Sequence, residues 1–231
     1  MANTLDFQTI VYALLGGILP ALVWLMFWLR EDYKHPEPRN LLLRTFLLGM
    51  VAVILVLPFQ NLVDSWFPGT TLTAIILWVI LEETFKFTAA YIGGLRSKED
   101  NEPLDPIIYM ITAALGFVAL ENALFIFGPL IGADITKSVI TGNLRFIGAS
   151  LLHTVSSGII GVSLAFSFYK SRERHINSIA LAFIAAVAVH TCFNLSIIYW
   201  NNAGTMLAFG LVWIGVIILL LAFEKAKTIA R

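Results

Sequence analysis

This sequence predicts an all-α fold: a polytopic transmembrane helical bundle of about seven spans, forming a single domain over residues 1–231. Three observations carry that expectation. Of 231 residues, 58% are apolar and only 13% are charged, whereas soluble domains carry about 25% charged residues. The apolar residues also fall into seven runs, each near the ~20 residues that a helix needs to cross hydrocarbon. Finally, the lysines and arginines between the runs collect on alternate connections, as they do in multi-pass membrane proteins.

The runs are 7–29, 41–59, 71–93, 107–127, 144–168, 178–200 and 206–223. Charged or turn-rich breaks separate them. Residues 30–40 (REDYKHPEPRN) hold two prolines, and 61–70 contain Asp64, Pro68 and Gly69. Residues 95–106 are charged, 128–143 mildly polar, 170–177 basic, and 201–204 a short polar turn. The first run lacks a basic segment before it and is longer than a signal-peptide core, so it reads as a retained helix. With the N-terminus outside and the C-terminus cytosolic, Arg30, Lys34, Arg39, Arg44, Arg96, Lys98, Lys170, Arg172, Arg174, Lys225, Lys227 and Arg231 all lie inside. Lys137 alone lies in an outside loop. Such a chain belongs in a cell membrane, with the lipid bilayer as its first partner.

Net charge is zero and no polybasic arm is present, which excludes nucleic acid as an expected partner. The single cysteine, Cys192, cannot form an internal disulfide and reads as a small buried thiol rather than a nucleophile.

Ionisable residues inside the runs are costly, at ~2.5–3.5 kcal/mol each at a helix centre on insertion scales. Glu82, Glu83 and Lys86 interrupt the third run, Glu121 and Asn122 the fourth, Arg145 and His153 the fifth, His190 and Asn194 the sixth. Counting inward from the cytosolic ends, Glu82 is 14 residues from Arg96, Glu121 14 from Ile107, His190 13 from Asn177 and His153 17 from Lys170. These separations are all ~20–25 Å. Four helices therefore bring costly groups to one depth, which unrelated structural polar residues have no reason to do.

Spacing sharpens the chemistry. Lys86 is three residues from Glu83 and four from Glu82, so it shares a helix face with both and neutralises part of the carboxylate pair. A carboxyl in that setting suits general-base work on water. His190 and Asn194, four apart, aim an imidazole and an amide at one point, as an oxyanion site requires. Each group also has a plainer reading. Glu–Lys is a structural ion pair, and a lone membrane histidine is a packing hydrogen bond. Ser150, Thr154, Ser157, Gly158 and Gly161 form a small-residue helix contact, and Gly93–Gly94 is a helix end. Trp66, Phe67, Tyr199 and Trp200 are interfacial anchors.

Taken in order, EExxK at Glu82–Lys86, Asp105-Pro106, GFxxxEN from Gly116 to Asn122, Arg145 with His153 and Gly158, and HxxxN from His190 to Asn194 resemble the PrsW family of bacterial intramembrane proteases. That family is similar in turn to the CAAX-prenyl endopeptidases and the bacteriocin-processing group. The resemblance covers about residues 71–200, the expected catalytic core. It implies a glutamate-type intramembrane endopeptidase in which Glu82 or Glu83 activates water and His190 and Asn194 stabilise the oxyanion. Where the CAAX relatives place FxxxH, Phe117 is followed by Glu121, which leaves Glu121 or His153 to complete the water site. Lys86, Asn122 and Arg145 are the supporting residues. The implied substrate is a single-pass membrane protein, such as an anti-sigma factor. No cofactor is expected. Zn²⁺ held by the two histidines and the carboxylates is the alternative, although HExxH is absent. A proton-coupled transporter and a non-catalytic membrane scaffold are the rival functions. Rhomboid and presenilin chemistries fit worse, because GxSG is absent and no aspartate lies inside the runs.

Overall fold

The structure, a computed structural model, describes residues 7–229; Arg231, used above for orientation, lies outside them. The helices are α1 (Phe7–Leu29), α2 (Arg39–Trp66), α3 (Leu72–Ala90), α4 (Asp105–Ile131), α5 (Ile135–Leu144), α6 (Ser150–Phe166), α7 (Arg172–Tyr199) and α8 (Asn201–Ala226). A π-helical turn, Tyr91–Leu95, extends α3, and another, Arg145–Ala149, fuses α5 to α6. The described residues thus form seven rods. Among the described residues, six stretches are long and apolar enough to cross a membrane: Phe7–Asp32, Arg39–Trp66, Asp105–Ile131, Ile135–Phe166, Arg172–Tyr199 and Ala203–Ala226. The seventh rod is α3, of 19 residues plus its π-helical turn. It is set apart by carrying Glu82, Glu83 and Lys86.

Burial identifies the centre. The α4 stretch is 72% buried and the α5–α6 stretch 78%, against 22% to 39% for the other four. Helix α4 packs against α1, α2, α3, α5 and α6, while α7 and α8 lean on α6. The outer helices turn Phe7, Leu181, Met206 and Leu221 outward, as lipid-facing rods do. Backbones approach closely where α2 crosses α4. A Cβ on Gly116 would lie 2.0 Å from the Phe46 carbonyl oxygen, and one on Gly49 2.2 Å from that of Ala113. No side chain can yield there, because backbone is what it would strike. Gly116→Val is therefore expected to cost about 3 kcal/mol or more through overpacking. The check is the thermal midpoint and membrane abundance of the variant; parent-like values for both would mean that the helices separate freely.

Three local expectations are corrected. Residues 135–143, expected in a polar connection, form α5 together with Leu144, because Asp134 caps its start by accepting the Lys137 N–H at 2.8 Å. The turn expected at 201–204 lies inside α8, since the break shrinks to Trp200. Cys192 is exposed rather than buried. It lines a lateral apolar cavity of about 470 Å³ between α6, α7 and α8, with Val155, Ile159, Val189 and Val212.

Candidate active site

Helix α3 presents Glu83 and Lys86, one turn apart, to the interior, where both are fully buried. The Glu83 carboxylate is saturated. Its Oε1 accepts from Lys86 Nζ at 2.5 Å, from His190 Nδ1 at 2.8 Å and from Ser156 Oγ at 2.9 Å; its Oε2 accepts from Ser157 Oγ at 3.2 Å. Three helices therefore converge on one carboxylate. Lys86 donates again to His153 Nδ1 at 2.9 Å and sits 5.2 Å above the Phe117 ring. Of the two pairings open to Lys86, the structure makes the one with Glu83.

Glu82 is placed differently. Its Oε1 accepts from Gln60 Nε2 of α2 at 3.0 Å, while its Oε2 is buried without a hydrogen-bond partner among the described residues. That oxygen lies 3.7 Å from His190 Nε2, beyond hydrogen-bond reach. His153 and His190 meet edge to face, with ring centroids 4.8 Å apart. His153 Nε2 lies 3.2 Å from Glu121 Oε2. The same Glu121 oxygen pairs with Arg145 Nη2, and Arg145 Nε donates to Asn122 Oδ1 at 2.5 Å. Asn122 in turn donates to Ser150 Oγ at 3.3 Å. The π-helical turn at Arg145–Ala149 begins at this arginine, a common use of such irregularities at functional sites. Glu121 and Arg145 are each 17% exposed, against 0–3% for Glu83, Lys86, His153 and His190. The site therefore opens past Glu121 and Arg145.

The structure thus brings Glu82, Glu83, Lys86, Glu121, Asn122, Arg145, His153 and His190 into one network. It leaves Asn194 outside: the residue is half-buried, with no hydrogen bond to the network among the described residues. Three members escaped the sequence reading. Gln60 ends an apolar run and looks like the start of a loop. Ser156 went unremarked, and Ser157 looked like packing.

One atom each from Glu82, His153 and His190 forms a group within 4.8 Å that could ligate a metal ion. The chemistry of the donors tests the fit. Glu83 accepts the His190 Nδ1–H, which frees Nε2 as a ligand in the carboxylate–histidine–metal pattern. Glu82 Oε2 is an orphaned buried oxygen, and ligands ~2.1 Å from one tetrahedral Zn²⁺ stand about 3.4 Å apart, close to the 3.7 Å seen here. His153 fits by position. An ammonium at Lys86 can only donate, however, so His153 carries its proton on Nε2 until Lys86 gives one up.

The sequence model for the PrsW family intramembrane metalloproteases matches residues 37–222. The chain is 26% identical to Protease PrsW of Halalkalibacterium halodurans, covering 82% of this chain and 85% of that one. It is 23% identical to Protease PrsW of Shouchella clausii over 96% and 98%, and 24% identical to that of Bacillus subtilis over 81% and 83%. No solved structure matches. A family match that spans α2 to α8 and takes in every helix of the buried network leaves one assignment: the chain belongs to the PrsW family of intramembrane metalloproteases.

Proposed function

We propose that the chain hydrolyses a peptide bond of a single-pass membrane protein at the Glu82–His153–His190 group, with a divalent metal held by those three residues. An anti-sigma factor is the substrate that the family resemblance favours. The observation that carries the proposal is Glu82 Oε2, a buried carboxylate oxygen that no group among the described residues satisfies, facing His190 Nε2. A metal bound there supplies Lewis acidity and a water that ionises near neutral pH.

The remaining residues have definable tasks. Gln60 holds Oε1 of Glu82 and so turns Oε2 to the reaction. Glu83 fixes the tautomer and direction of His190, while Ser156, Ser157 and Lys86 fix Glu83. Arg145 anchors Glu121 through Oε2, and Glu121 Oε1 carries no hydrogen bond among the described residues. That free oxygen takes the proton of the attacking water and returns it to the leaving amine.

A second reading has its own support. The hydrogen bond from Lys86 to His153 Nδ1 keeps the His153 Nε2 lone pair occupied by a proton. Glu82 then acts on water as a metal-free base. Metal removal separates the two. Purified protein in lipid nanodiscs is stripped with chelator and assayed on a single-pass substrate, with bound metal counted by mass spectrometry. The metal reading expects activity to fall to about 1% or less, within the 10²–10⁴-fold span of a lost proton-transfer or electrophilic group, and to return with one equivalent of Zn²⁺. Undiminished activity in metal-free protein establishes the second reading instead.

A further inference from the structure

The catalytic network leaves a second buried acidic group unused. Asp32 follows α1, Glu37 lies just before α2, and Asp105 opens α4. Each is buried, at 3%, 7% and 1% exposure. One carboxylate oxygen from each lies within 4.8 Å of the other two. Asp105 Oδ2 accepts the backbone N–H groups of Asn101 at 2.7 Å and Glu102 at 2.8 Å, and Glu37 Oε2 accepts the Tyr109 hydroxyl. The other oxygens are the informative ones. Among the described residues, Asp105 Oδ1 and both oxygens of Asp32 are buried with no hydrogen bond of normal geometry, although the Glu37 backbone N–H approaches Asp32 and the Glu37 and Asp105 carboxyls approach each other. Among the described residues, no lysine or arginine pairs with any of the three, and the neighbouring His35 pairs with Glu102 at 3.1 Å. Buried carboxylates without a partner are avoided in proteins unless a cation or a proton neutralises them.

We infer that Asp32, Glu37 and Asp105 form a binding site for a divalent cation of the hard, oxygen-seeking class, Mg²⁺ or Ca²⁺. All three donors are carboxylates, and no imidazole or thiol belongs to the group, which is the donor set of those ions rather than of Zn²⁺. Asp32, both of whose oxygens are buried and unpartnered among the described residues, necessarily brings one of them to this group, as a ligand site requires. The position gives the cation a structural task. It joins the α1–α2 connection to the start of α4. Tyr109, tied to Glu37, also supports the end of α3: a Cβ on Gly94, in the π-helical turn, would fall 2.0 Å from the Tyr109 ring. The ion thus braces the far end of the helix that carries Glu82 and Glu83.

The test uses the full chain in detergent micelles, in a Glu82→Gln/His190→Ala background so that the core group cannot bind metal. After chelation, the thermal midpoint is followed by tryptophan fluorescence as MgCl2 or CaCl2 is added separately, with KCl as the ionic control. A saturable rise of several degrees with one divalent salt, absent with KCl, is expected, and the better ion identifies the class member. Tb³⁺ should bind and give luminescence sensitised by Tyr109, and the preferred ion should displace it. Asp32→Asn and Asp105→Asn should abolish both signals, while Glu99→Gln, an exposed acid of the adjoining loop, should keep them. Removing one of three clustered charges does not threaten the fold, so a folded Asp32→Asn protein that still responds like the parent overturns the site. So does a parent that ignores both ions, which would assign protons as the neutralising partners.

Discussion

Glu82→Ala protein reaches the membrane folded and cleaves its substrate about 10²–10⁴-fold more slowly than the parent, the range for loss of a group that acts on the reacting water. The fold survives because Glu82 Oε2 makes no hydrogen bond, so truncation removes an unsatisfied buried oxygen and leaves only the Gln60 amide to find a new partner. Glu83→Gln behaves differently. The amide keeps the shape and still accepts from Ser156 or His190, but it holds His190 less firmly. Residues that orient a ligand from behind cost about 10–100-fold when changed. The order of severity therefore distinguishes the adjacent glutamates. Single-turnover cleavage by equal amounts of folded protein measures it, together with bound metal. If Glu83→Gln proved as inactive as Glu82→Ala while keeping its metal and its stability, the roles of the two would be exchanged.

That order could not be read from sequence, and the reason is instructive. Adjacent glutamates on a helix differ by about 100° of rotation, and sequence does not say which face meets which neighbour. The existence of the site was legible because lipid makes every polar group in an apolar run costly. Glu82, Glu121, His153 and His190 stood out for that reason, and their common depth followed from counting residues. Ser156 and Ser157 carry no comparable cost, since small hydroxyl residues are ordinary in helix contacts, yet they pin Glu83. Gln60 was hidden by its position at the end of an apolar run, although α2 continues to Trp66. Asn194 is a different case: i,i+4 spacing places it on the same face as His190, yet it makes no hydrogen bond to the network among the described residues. Asp32, Glu37 and Asp105 sit in charged breaks, where acids are unremarkable. Only the packing of the α1–α2 connection against the start of α4 shows that they are buried together. The rods themselves were legible because their breaks are charged or polar, and the misplaced start at Ile135 depended on a local cap at Asp134.

The largest effect on stability is expected at Lys86. Its ammonium is fully buried and is the only lysine or arginine paired with Glu83 among the described residues. Lys86→Met leaves that carboxylate charged in a low-dielectric interior, with two serine hydroxyls and one imidazole as its remaining partners. Breaking one side of a buried pair typically costs about 3–5 kcal/mol, a large share of the ~5–15 kcal/mol that holds a domain together. Lys86→Met protein should therefore unfold at a markedly lower temperature and accumulate poorly. The double variant Glu83→Gln/Lys86→Met removes both charges at nearly constant volume, and such replacements are often neutral or stabilising. It should recover most of the lost stability, but no more activity than Glu83→Gln alone, because His190 is still held by an amide. A double-mutant cycle on thermal midpoints and denaturant curves isolates the pair. A Lys86→Met protein as stable as the parent would show that Glu83 is protonated in the folded state, and the ion pair at the centre of this site would have to be redrawn as a neutral hydrogen bond.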